Sequence, residues 1–126
     1  MSTSNGYRLL IVDDYKEVRS LVSRQLQRQG YEVVEANCVT QAKKLLASDV
    51  FDLVITDVSL NDGNGIDMMA AIEPMPKTIF MSGYMQPSMT ATMELEAGRN
   101  FIYKPFKIKT LAQMVGTAVN NDGDQN

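Results

Sequence analysis

Four short apolar runs in this chain end in residues that can do chemistry. Leu9-Leu10-Ile11-Val12 is followed by Asp13-Asp14, and Leu53-Val54-Ile55 by Thr56-Asp57. Thr78-Ile79-Phe80-Met81 leads into Ser82-Gly83, and Phe101-Ile102-Tyr103 into Lys104-Pro105. Taken singly, each is an ordinary turn or helix-cap residue. Taken together, they are three carboxylates, a hydroxyl and an ammonium. Three acids brought to one place repel one another, and a fold gains nothing by assembling them unless a cation joins them. Oxygen ligands call for a hard cation, and Mg2+ fits because it binds through one or two carboxylates and keeps several waters. A phosphoryl group could then meet Lys104 as a point charge and Ser82 as a donor, with Asp57 as nucleophile.

The chemistry needs a scaffold that collects these strand ends. The four runs and a fifth, Val33-Val34, mostly lack polar alternation, as strands buried on both faces of a parallel sheet do. Helical patterns lie between them. Val18, Leu21, Val22 and Leu26 share a face of a segment from about Tyr15 to Gln29, which Gly30 stops. Val39, Ala42, Leu45 and Leu46 mark a second helix. Ile66, Met69 and Ala70 mark a short third helix, ended before Pro74. Met89, Met93 and Ala97 mark a fourth, weakened by Thr90 and Thr92. Ile108, Leu111, Ala112, Val115 and Val119 mark a fifth. Five alternations of strand and helix predict a doubly wound α/β fold with right-handed crossovers. In such sheets, ligands bind beyond the carboxyl ends of the strands, where the polar residues collect. Strand two, ending at Glu35-Ala36, adds nothing to that rim.

The 126 residues fit one domain, and 44% apolar content is enough for a core. A net charge of −3 argues against direct DNA binding, which needs a basic face. No apolar run suggests a secretory signal or a membrane segment, so the expected location is cytoplasmic. The absence of histidine removes Ser-His and Cys-His catalysis. Cys38 is the single cysteine and reads as a small half-buried residue. The expected core runs from about residue 7 to 119, with 120–126 as a flexible tail.

The ordered set Leu9-Leu10-Ile11-Val12-Asp13-Asp14, Asp57, Ala97-Gly98 and Lys104-Pro105-Phe106 resembles the signature of response-regulator receiver domains. The resemblance spans about residues 7–119. It implies a flavodoxin-like fold, a five-stranded parallel sheet in the order 2-1-3-4-5 with five helices. It implies Asp57 as phospho-acceptor, with Asp13, Asp14, Asp57 and the backbone carbonyl of Ser59 as Mg2+ ligands. Lys104 would contact the phosphoryl group. Ser82 and Phe101 would move together as switch residues and reshape the face of the fourth helix, fifth strand and fifth helix. The implied donor is a histidine kinase or a histidine phosphotransfer protein, and the implied output is a protein partner, with a homodimer left open. The bond before Pro105 is often cis in this family.

The sequence departs from the family pattern in three places. Asn61 stands where proline is common, which predicts a flexible Asn61–Gly65 loop. Ser82-Gly83-Tyr84 replaces a common Thr-Ala, a variant frequent in receivers joined to hybrid sensor kinases. Arg99-Asn100 replaces a small pair. Elsewhere, Met68, Met69, Met75, Met81 and Met114 read as core or core-edge filler, while Met85, Met89 and Met93 suit either core or an adaptable partner surface. Tyr103 could be exposed or packed. Arg19, Arg24 and Arg28 read as the wet side of the first helix. Two other functions compete with the phospho-accepting switch. One is a haloacid-dehalogenase-type Mg2+-dependent phosphatase with its nucleophile among Asp13 and Asp14, although the acids are adjacent and no cap is visible. The other is a receiver fold used only for docking.

Overall fold

A computed structural model describes residues 5–120; the tail expected beyond Asn120 lies outside them. Five parallel strands form one sheet: β1 (Arg8–Val12), β2 (Glu32–Ala36), β3 (Leu53–Asp57), β4 (Thr78–Ser82) and β5 (Phe101–Tyr103). Their spatial order is β2-β1-β3-β4-β5. Five helices connect and follow them: α1 (Lys16–Arg28), α2 (Val39–Ser48), α3 (Gly65–Ala70), α4 (Pro87–Thr92) and α5 (Ile108–Asn120). A two-residue antiparallel ladder, Ser59–Leu60 with Gly63–Asn64, folds the loop after β3 into a small hairpin.

Alternate strand residues feed two cores, as the period of two requires. Leu9, Ile11, Leu53, Ile55, Ile79 and Met81 point to the side covered by α1 and α5, where Val22, Leu26, Leu111, Val115 and Val119 meet them. Leu10, Val12, Val54 and Phe80 point to the other side, with Ala42, Ile66, Met68, Met69 and Met89 from α2, α3 and α4. Leu9–Val12, Leu53–Ile55 and Ile79–Met81 are therefore apolar on both faces, which is why they read as unbroken runs. Burying each such side chain contributes about 1.5–3 kcal/mol.

The helices depart from the sequence pattern in informative ways. On α1, Leu21 is 51% exposed while Ser23 is buried. The core stripe runs Val18–Val22–Leu26 with Ser23 beside it, and Leu21 falls past its edge. Gly30 closes the helix with φ +95° and its N–H on the Gln27 carbonyl, a conformation that glycine adopts without cost. On α3, Met68 takes the buried place expected for Ala70, which is exposed. The fourth helix stops at Thr92, so Ala97 is not helical; it bridges instead to Phe101. Two causes are visible. The hydroxyls of Thr90 and Thr92 bond back to the Pro87 and Ser88 carbonyls, a habit that weakens helices. The Asn100 side chain then captures the Glu94 carbonyl and the Glu96 N–H, fixing the following chain in a non-helical path.

The methionines divide differently from expectation. Met68, Met69, Met81 and Met114 are buried, but Met75 is 41% exposed. Met89 is buried, and Met85 and Met93 pack half-buried against the same core, so these three are mainly packing residues. Tyr103 is exposed, its ring tilted 5.1 Å from that of buried Phe101. Cys38 is half-buried and caps α2, its sulfur accepting from the Gln41 N–H at 3.5 Å. Asn120, expected in the tail, is the last residue of α5.

Candidate functional site

The strand order reverses between β1 and β3, and the carboxyl ends of these two strands bring Asp13 and Asp57 to one crevice. Asp13 is fully buried and Asp57 is 6% exposed. Asp14 is half-buried, and ligand oxygens of Asp13, Asp14 and Asp57 all lie within 4.8 Å of one another. Lys104, delivered by the end of β5, crosses to them. Its ammonium donates to Asp57 Oδ2 at 2.7 Å and to Asp13 Oδ2 at 3.1 Å. The peptide bond that follows, to Pro105, is cis. Three carboxylates against one ammonium leave the crevice negative.

That imbalance appears in the protonation equilibria. Burial raises the Asp57 carboxyl above the ordinary carboxylate range, and the Asp13 charge adds to this; the bond and charge of Lys104 pull the other way without cancelling it. For Lys104, burial works against the ammonium, but its bonds and attraction to Asp57, then to Asp13, outweigh that and hold the proton more tightly than usual.

The backbone around the acids is fixed at several points. The Tyr15 N–H donates to Asp13 Oδ1 at 2.8 Å, and the Ser59 N–H donates to Asp57 Oδ1 at 3.2 Å. Ser59 is otherwise exposed. Arg19 is not on the wet side of α1. It donates from Nη1 to the Asp13 carbonyl at 2.8 Å and pairs through Nε with Glu35 of β2 at 2.9 Å. The second strand thus does contribute to the rim, through Glu35. A sequence reading misses this because the charge pair spans two elements that neither periodicity nor spacing connects.

Two further positions escaped the sequence reading. Gly65 starts α3 directly against the end of β3: its N–H bonds the Val58 carbonyl at 2.7 Å, and a Cβ there would overlap the Asp57 carbonyl oxygen. Only glycine fits that approach. Asp62, at the tip of the hairpin, accepts from the Val39 and Thr40 N–H groups and the Thr40 hydroxyl. With Asn64 capping α3 through the Ile66 and Asp67 N–H groups, the loop expected to be flexible is tied at both ends. A glycine before a helix and an acid in a turn each carried a signal, but neither pattern names its partner.

The hydroxyl of Ser82 and the ring of Phe101, the two switch candidates, make no hydrogen bond to this cluster among the described residues. Ser82 ends β4, buried, and its hydroxyl donates to the Tyr84 carbonyl at 3.0 Å rather than to the Asp57–Lys104 pair. Its own carbonyl accepts from the Lys104 N–H, so it shares the backbone that delivers the lysine. Phe101 is fully buried at the start of β5.

The donor set fits a hard divalent cation: three carboxylates supply oxygen only, they converge within reach of one ion, and their crowding is offset by a single lysine.

The family model for the response regulator receiver domain matches residues 9–116. The chain is 34% identical over 116 residues to the response regulator protein PilR of Pseudomonas aeruginosa, covering 89% of this chain and 26% of that protein. It is 32% identical over 118 residues to the sensor kinase CckA of Brucella abortus, covering 89% of this chain and 12% of that one. Among solved structures, the receiver domain from the hybrid histidine kinase CckA superposes with a TM-score of 0.72 at 32% identity, covering 89% of this chain and 98% of that one. The chain therefore belongs to the response-regulator receiver family. It spans about a quarter or less of the curated relatives it matches. Family membership sets aside the phosphatase alternative, whose nucleophile would lie on β1. No helix among the described residues is long and apolar enough to cross a membrane.

Proposed function

We propose that this chain is a single, cytoplasmic receiver domain, core residues 7–119, that accepts a phosphoryl group on Asp57 and passes the change to a protein partner. The observation that carries this reading is the buried Asp57 carboxylate, joined at 2.7 Å to Lys104 and crowded by two further acids. Asp13, Asp14, Asp57 and the Ser59 carbonyl would hold Mg2+, which when bound supplies positive charge opposite the phosphoryl oxygens.

The donor is a phosphohistidine outside these residues, on a histidine kinase or a phosphotransfer protein, since the 126 residues include no histidine. An Asp57 oxygen attacks phosphorus. The new P–O bond forms as the P–N bond to the donor imidazole breaks, and the imidazole takes its proton from solvent. Lys104 neutralises charge on a phosphoryl oxygen, moving from its bond with Asp57 to the new group. Asp13 keeps the second lysine contact and holds the ammonium at the rim.

The output face would be α4, β5 and α5. It presents exposed Tyr103 directly above buried Phe101, and α4 is only six residues long. The Ser82 hydroxyl would leave the Tyr84 carbonyl to meet the phosphoryl group, coupling that turn to Phe101. Relatives of both kinds, response regulators and sensor kinases, each several times longer than this chain, support a receiver in either setting.

Incubation with a small acyl phosphate and Mg2+ should add one phosphoryl group by mass. Asp57→Asn should abolish the label, and Lys104→Ala should slow it at least tenfold, since removing one such charge costs roughly 2–4 kcal/mol of transition-state stabilisation. Equal labelling of Asp57→Asn would overturn the assignment; a parent that binds no Mg2+ on titration would favour the docking-only reading.

A further inference from the structure

The hairpin that follows the acceptor carries Ser59, whose backbone carbonyl is the one proposed metal ligand not supplied by a carboxylate. A backbone ligand cannot be adjusted by a side-chain rotation, so its position depends on what fixes the hairpin. The usual rigid proline is absent: Asn61 stands there. The ladder itself has only two residue pairs, Ser59 with Asn64 and Leu60 with Gly63. A two-pair ladder is too short to be rigid by itself.

What does fix it is the N-terminus of α2. The Asp62 carboxylate accepts from the Val39 N–H at 2.7 Å, the Thr40 N–H at 3.0 Å and the Thr40 hydroxyl at 2.9 Å. The first N–H groups of a helix lack partners within the helix, and its N-terminus attracts negative charge. The residue in the cap position, Cys38, offers only a sulfur at 3.5 Å from the Gln41 N–H, a weak acceptor. Asp62 therefore completes from another loop what the cap of α2 leaves undone. The bonds to the Thr40 and Val39 N–H groups hold its carboxyl down to about 2, so the charge is present at every ordinary pH. Next to it, Gly63 lies so close to Val39 that a Cβ would sit 3.0 Å from Val39 Cγ2, which presses the hairpin onto the helix. At its other end the hairpin closes on Asp57 itself, through the Gly65 and Val58 bond and the Ser59 N–H on Asp57 Oδ1.

We infer that Asp62 is a positioning residue for metal binding: clamped on α2, it sets the hairpin so that the Ser59 carbonyl faces Asp13, Asp14 and Asp57. The inference rests on the proposed function, since it assumes that these four groups share a cation. It assigns a role to a residue that carries no ligand atom.

The test is a MgCl2 titration of the full chain at constant ionic strength, followed by the amide NMR shifts of Asp13, Asp14 and Ser59. Asp62→Ala should weaken Mg2+ binding on the order of tenfold, the lower end of losses seen when groups that orient metal ligands are removed. Asp62→Asn keeps an acceptor oxygen without the charge and should lose less. In both variants the Ser59 amide should change position before any metal is added. Parent-like affinity in Asp62→Ala, with α2 amides alone losing exchange protection, would reduce Asp62 to a helix cap and overturn the inference. A parent that binds no Mg2+ would instead defeat the proposed function, and the positioning role with it.

Discussion

The two sides of the sheet are built by different means. One side is covered by α1 and α5, thirteen residues each, whose apolar stripes meet the strands in a continuous core. The other is covered by α2, α3 and α4, of ten, six and six residues, anchored largely by caps, methionines and cross-loop hydrogen bonds. Long helices gain stability from many packed side chains, while short ones depend on their ends. The acidic cluster of Asp13, Asp14 and Asp57 lies at the rim where both sides meet. One side makes a platform for it, and the other carries the parts whose positions can change at small cost.

The comparison is tested most severely by paired truncations. Leu111→Ala, in the first turn of α5 and fully buried, should cost about 3–4 kcal/mol in urea unfolding; Met89→Ala, on α4, should cost about half that or less, because a short helix can settle into the gap. Equal losses would mean that α4 is as firmly packed as α5. Gly65→Ala attacks the short-helix side at its tightest point. Overlap with the Asp57 carbonyl should destabilise the fold by about 2 kcal/mol and slow acyl-phosphate labelling, read by the same urea curves and by mass. The smallest effect belongs to the site rather than to either side. Because burial raises the Asp57 carboxyl, the folded state holds that proton more strongly than the unfolded chain does. The associated stability is present below the ordinary carboxylate value and is lost as pH rises through the raised one. Asp57→Asn should therefore raise the melting temperature at pH 7. That gain should fade on acidification towards the ordinary carboxylate range, as followed by circular dichroism melts.

The same contrast governs what a sequence reading reaches. The strands were legible because the middles of the central parallel strands are apolar on both faces, and the acids and lysine were legible because they stand at the ends of those strands. The long helices were found within a residue or so at each end. Inside α1 the reading put Leu21 in the core and left Ser23 out, because hydrophobicity names a residue type whereas the stripe is a direction in space. The fourth helix was drawn too long, since its end depends on Asn100 reaching back to Glu94 and Glu96. Arg19 was placed in solvent because its partners, Glu35 and the Asp13 carbonyl, lie on another strand and a loop. Asp62 and the hairpin were judged by the missing proline alone. In each case the missing information was a contact between segments distant in sequence.

The lysine bridge spans 91 residues to Asp13 and 47 to Asp57. During synthesis the acids are therefore made long before the charge that balances them. A nascent chain without its last strand would carry an uncompensated acidic pocket, and docking of β5 is the event that relieves it. Closing the sheet and neutralising its acidic rim are thus one event.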